Sequence, residues 1–138
     1  MIIEVWSLDR VKPYPNNPRV NDDAVDAVAA SIREFGFRQP IVVDNEGVII
    51  CGHTRFKAAQ KLGLTDAPVT VAKDLSPEHI KAYRIADNKT AELADWNYDL
   101  LPIELGDLQT NGFDLSLLGF DDDELLKLLK TDVEEGLT

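Results

Sequence analysis

The sequence predicts an α+β fold: a small sheet with surrounding helices, followed by a helical, acidic extension. Three observations carry this reading. Short β-branched runs alternate with helix-periodic segments along most of the chain. One apolar run, Val48-Ile49-Ile50, leads almost directly through Gly52 into a helical segment. Charge is divided: residues 1–90 hold 12 acidic and 12 basic side chains, residues 91–138 hold 13 and 2, so the net −11 lies wholly in the second part.

Taken in order, Ile2-Ile3-Glu4-Val5-Trp6 reads as an opening strand. Residues 9–20 form a proline-broken connection through Pro13, Pro15 and Asn16-Asn17-Pro18-Arg19. Asn21 can cap a helix to Phe35, where Val25, Val28, Ala29 and Ile32 recur at helical spacing and Gly36 stops it. Ile41-Val42-Val43 and Val48-Ile49-Ile50, joined by Asp44-Asn45-Glu46-Gly47, predict a hairpin. A helix follows from Thr54 to Leu62, with Gly63 at its end, and then a strand at Pro68-Val69-Thr70-Val71-Ala72. Ser76-Pro77-Glu78 is a helix start, serine as cap and proline first, for a helix to about Leu93. Tyr98 to Leu108 predicts a further helix, residues 114–120 a short leucine-rich piece, and residues 125–130 a last helix opened by Asp121-Asp122-Asp123-Glu124. The expected division is a domain at 1–95, a helical extension packing on it at 96–130, and a linker or tail at 131–138.

With 138 residues, 44% of them apolar, the chain can bury a real core. Charges and prolines in the first twenty residues exclude a signal-peptide apolar region. No apolar run approaches the roughly 18 residues that span a bilayer, which excludes a membrane helix. The single cysteine, Cys51, cannot form an internal disulfide, which favours a reducing, cytoplasmic setting.

The strand–helix junction carries the chemistry. A helix start leaves N–H groups unpaired at the positive end of the dipole, and so suits an anion. Gly52 permits close backbone approach, Thr54 offers a hydroxyl, and Arg55 and Lys57 add full positive charge. His53, beside the expected anion, could donate to it or act as a base. Two readings stay open on these residues alone: a phosphate or nucleotide site, or a turn glycine followed by solvated charges. Arg19 could clamp a phosphate or pair with Asp22 or Asp23. His79 reads as a helix-surface residue, Arg84 and Lys89 as a solvated helical face with facing the nucleotide as the alternative, and Trp6 and Trp96 as packing residues.

The run Gln39-Pro40-Ile41-Val42-Val43 followed by Gly52-His53-Thr54-Arg55-Phe56-Lys57-Ala58-Ala59 resembles the core of the ParB/sulfiredoxin fold. That resemblance covers about residues 2–95 and implies a small mixed sheet with surrounding helices. It implies that Gly52, His53, Thr54, Arg55 and Lys57 contact nucleotide phosphates, with Arg19 and Asn88 helping to close the site. CTP or ATP with Mg²⁺ is the cofactor so implied. Asp87 is the single candidate metal ligand, an aspartate where the family has glutamate. Sulfiredoxin's nucleophilic cysteine would stand at His53, so Cys51 is expected to be buried and inert.

Over the whole length, Arg84-Ile85-Ala86-Asp87-Asn88-Lys89, Trp96 and Leu117-Leu118-Gly119-Phe120 with an acidic helix resemble the N-terminal ParB-like domain of phage and prophage DNA methyltransferases. This implies an accessory or regulatory nucleotide-binding module of a DNA-modifying protein, with DNA contacted through another domain or subunit and a homodimer allowed. The chain is expected to lack the helix-turn-helix domain of partition ParB proteins. It holds no complete catalytic constellation and neither methyl-donor nor methyltransferase catalytic motifs. The alternatives are a ParB-like nuclease, NTP hydrolase or phosphotransferase, which needs a metal-binding acidic cluster near Arg55, and a non-catalytic DNA- or protein-interaction scaffold.

Overall fold

The computed structural model describes the backbone of residues 1–17 and 22–137, and their side chains except those of 22 and 131–137. Arg19 and the expected cap Asn21 lie outside the described residues. The chain divides into two compact units, Met1–Leu93 and Ala94–Thr138.

Unit 1 is built on a four-stranded mixed sheet: β1 (Glu4–Ser7), β2 (Ile41–Val43), β3 (Ile49–Cys51) and β4 (Asp66–Val71), in the spatial order β1-β4-β2-β3. The expected hairpin forms, with Val42 opposite Cys51. Its turn is closed by the Asp44 carboxylate, which accepts from the Glu46 and Val48 amides. β2 runs parallel to β4 with Ile41 opposite Val69, and β4 pairs antiparallel with β1.

Three helices surround this sheet: α1 (Asp22–Phe35), α2 (His53–Lys61) and α3 (Pro77–Glu92). α1 packs on α2, and Lys61 pairs with Asp26 between them. Gly36, at φ +87°, ends α1 where the sequence places a stop. Ser76 caps α3 by accepting from the His79 amide, with Pro77 at the first position. The core joins Trp6, Leu8, Val11, Ile41, Val43, Ile49, Phe56, Ala59, Ala67 and Val69. β3 is buried at all three positions, because Lys12 bridges its outer edge and α3 packs against it.

Unit 2 holds α4 (Leu101–Thr110), a 3-10 turn (Leu115–Leu118) and α5 (Asp122–Leu137) around Leu105, Leu115 and Leu125. Trp96 tilts against Phe120, with ring centroids 5.7 Å apart. The last helix runs on to Leu137, through residues expected to form a linker or tail. No proline follows Lys130, and Leu129, Val133 and Leu137 continue at helical spacing.

Candidate functional site

α2 begins at a backbone position that only glycine fills without strain. Gly52 sits at φ +109°, and the first helical bond runs from the Phe56 amide to its carbonyl. A Cβ there would lie 3.1 Å from Nη2 of Arg55 and 3.4 Å from the Ile41 backbone. The room left by the missing side chain is therefore taken by the guanidinium of Arg55. The sequence reading gave that room to a phosphate. The same Nη2 donates at 3.1 Å to the carbonyl of Pro40, the residue before β2, so the entry to β2 and the helix start hold the arginine together. Nε of Arg55 is buried with no hydrogen-bond partner. Burial pulls the guanidinium pKa below its usual value.

No side chain caps α2, and its first turn contains no acidic residue. The helix start thus presents amides and dipole to a hollow of about 530 Å³. Asn17 lines it from the connecting strap, Asp23 and Val28 from α1, Ile50 and Cys51 from β3, residues 52–55 from the junction, and Asp87 and Asn88 from α3. The structure therefore brings together Gly52, His53, Thr54, Arg55, Asp87 and Asn88. Lys57 is exposed and does not line the hollow, since the two residues from Arg55 turn it about half a helical turn, to the opposite face of α2. Two lining carboxylates, Asp23 and Asp87, oppose the positive charge of Arg55. Among the described residues, no group of three or more His, Cys, Asp or Glu is placed to hold a metal ion.

His53 is buried, and its Nε2 accepts from the Tyr14 amide at 3.1 Å. An amide only donates, so the ring is the Nδ1–H tautomer with its basic lone pair occupied. Burial first, then the charges of Arg84 and Lys57, push its pKa down to about 4. The base role considered for His53 is closed off, and only Nδ1–H remains to donate. Cys51 is buried; burial above all, and the neighbouring Asp87 charge, push its thiol up to about 11. That is an inert thiol.

Arg84 departs from the solvated helical face expected of it. It is 4% exposed, its Nε donates to the Ile49 carbonyl at 3.0 Å, and its guanidinium lies 3.5 Å from the Tyr14 ring centroid. Nothing in the spacing of α3 marks Arg84 as buried. The Pro13-Tyr14-Pro15 run, stiff and extended, is the only sequence hint of the strap that it meets.

The sheet order and the glycine-led helix start beneath an anion-suited hollow define the class: a ParB/sulfiredoxin-like α+β domain. The chain belongs to the ParB N-terminal domain family, which it matches over residues 2–88. Residues 99–137 match a second family, the ParB-methyltransferase HTH domain. A helix-turn-helix domain of the methyltransferase-associated kind is thus matched where that of partition ParB proteins was expected to be missing, and it fits the methyltransferase-associated resemblance.

A ParB-like nuclease domain-containing protein of Escherichia coli, YnaK, is 36% identical over 72 residues, covering 51% of this chain and 83% of that protein. The chain spans only between 25% and 35% of the chromosome-partitioning relatives that it matches. Caulobacter crescentus ParB, solved in complex with CTP-γ-S, superposes with a TM-score of 0.63 at 23% identity, covering 99% of this chain and 89% of that one. Arabidopsis thaliana sulfiredoxin gives 0.50 at 25% identity, covering 60% of this chain and 97% of that one. Among the described residues, no helix is long and apolar enough to cross a membrane.

Proposed function

We propose that unit 1 binds a nucleoside triphosphate by its phosphates at the α2 hollow, as an accessory or regulatory module of a DNA-modifying, methyltransferase-type protein. The observation that carries this reading is the uncapped start of α2, opening on a hollow of about 530 Å³ with Arg55 packed against Gly52. Ligand pockets for small organic molecules run from about 300 to 1,000 Å³. The CTP analogue bound by the Caulobacter relative adds support and makes CTP the first candidate, ahead of ATP.

In this reading the His53, Thr54 and Arg55 amides and the Arg55 guanidinium receive phosphate oxygens, while Asn88 and Arg19 help to close the site. Asp23 and Asp87 repel an unaccompanied triphosphate, so binding requires a divalent cation. Mg²⁺ suits such a donor set, since it takes one or two carboxylates and completes its shell with phosphates and water. Asp87 would hold it, and its charge would offset that of the phosphates. The domain boundary is proposed near residue 95, in a cytoplasmic protein that can dimerise.

Calorimetric titration of CTP, ATP and GTP with and without Mg²⁺ tests the site. Saturable, Mg²⁺-dependent binding lost in Arg55→Ala is expected; flat traces for all three at millimolar concentration refute it.

The name of the Escherichia coli relative favours a second reading, a nuclease. His53 offers no free base, and the hollow offers no clustered metal ligands among the described residues. Incubating supercoiled plasmid with protein and Mg²⁺ or Mn²⁺ distinguishes the two, since only the nuclease reading expects nicking that Asp87→Asn abolishes. Contact with DNA is assigned to another domain or subunit, because the acidic second part repels phosphate.

A further inference from the structure

We propose that His53 and Arg84 act as positioning residues, latching the strap of residues 11–17 at Tyr14 and so fixing Asn17 against the α2 hollow. The proposal rests on the nucleotide reading for its consequence, but on independent geometry for the latch. The strap has almost no sheet partner of its own: Lys12 bridges Val48, exchanging backbone bonds with Gly47 and Ile49. Beyond Lys12 the backbone between Pro13 and Pro15 can donate only from Tyr14, because proline has no N–H. That one amide is taken by Nε2 of His53, the first residue of α2.

The Tyr14 ring is held separately. It lies on the guanidinium of Arg84, which is itself fixed by its bond to the Ile49 carbonyl of β3. Tyr14 is thus gripped through its backbone by α2 and through its ring by α3. The latched residue then reaches the hollow. The Tyr14 carbonyl accepts from the Asn17 amide at 3.2 Å, closing the turn that brings Asn17 to the lining. Within α3, the Arg84 carbonyl accepts from Nδ2 of Asn88, a further lining residue, at 2.9 Å. The latch therefore bears on the hollow through the turn at Asn17, and His53 serves the site through Tyr14.

The test pairs amide hydrogen exchange of Tyr14, read by NMR, with calorimetric CTP–Mg²⁺ affinity. His53→Ala is expected to lose about tenfold in Tyr14 protection and about tenfold in affinity, the scale of one hydrogen bond. His53→Gln, whose amide oxygen can accept from Tyr14, restores both. Tyr14→Phe keeps the amide and the ring face and changes neither, while Arg84→Met weakens both with a dispersed, folded spectrum. Unchanged Tyr14 protection in His53→Ala overturns the latch. So does His53→Gln that recovers protection but not affinity, which would make His53 a direct ligand contact. Wild-type protein that binds no nucleotide overturns the nucleotide reading instead, and the exchange arm still decides the latch.

Discussion

Acidification reports directly on how His53 is held. The imidazole is 9% exposed, with Nε2 occupied by the Tyr14 amide. Burial, then the Arg84 charge from α3 and the Lys57 charge from α2, lower its pKa from 6.5 to about 4. In the unfolded chain the ring takes a proton near pH 6.5; in the fold it stays neutral until about pH 4. Across that window the unfolded state binds more protons. The stability is complete above pH 6.5 and is lost as pH falls toward 4. At roughly 1.4 kcal/mol for each pH unit, the window corresponds to about 3 kcal/mol. Urea unfolding at stepped pH, comparing wild type with His53→Gln, isolates this contribution, because the carboxylates titrate in both proteins. The wild-type curve is expected to fall about 3 kcal/mol further than the variant's between neutral pH and pH 4. Two curves that fall in parallel would refute the claim that the fold keeps this ring neutral.

Gly52→Ala forces a Cβ to within 3.1 Å of Nη2 of Arg55 at a φ of +109°. It is expected to cost about 1–3 kcal/mol in thermal unfolding and to weaken nucleotide binding with it. Cys51, pushed up to about 11, is expected to react with Ellman's reagent at pH 7.5 about a hundredfold more slowly in folded than in urea-unfolded protein. In unit 2, Leu105 is 2% exposed in a small leucine core, so Leu105→Ala is expected to cost about 2–5 kcal/mol. Fluorescence of Trp96, which packs on Phe120, follows that loss in a Trp6→Phe background. Fluorescence anisotropy with duplex DNA at physiological salt is expected to give only weak association. Nanomolar binding would contradict the charge argument.

Much of unit 1 was legible in the chain because its signals are local. The Asp44-to-Gly47 turn between two β-branched runs specifies a hairpin, and Ser76-Pro77 specifies a helix start. The anion-suited helix start was legible for the same reason, since glycine followed by a helical segment fixes the junction by itself. Arg84 was not: a cation on a helix belongs in water unless something distant accepts it. The Ile49 carbonyl and the Tyr14 ring, 35 and 70 residues away, are what accept it. Lys57 misled in the opposite sense, because a helix turns a residue two positions from Arg55 to its opposite face.

By itself, the sequence determined the kinds of elements, their order, the divided charge and the presence of a glycine-led helix start. Each of these depends on residues within a few positions of one another, whose backbone preferences and hydrogen-bonding groups act locally. Only the tertiary structure decided which side chains face the hollow, that the guanidinium of Arg55 fills the space beside Gly52, and that His53 is a neutral acceptor. Those outcomes depend on which distant backbone groups arrive within about 3 Å, and on how much water their arrival removes.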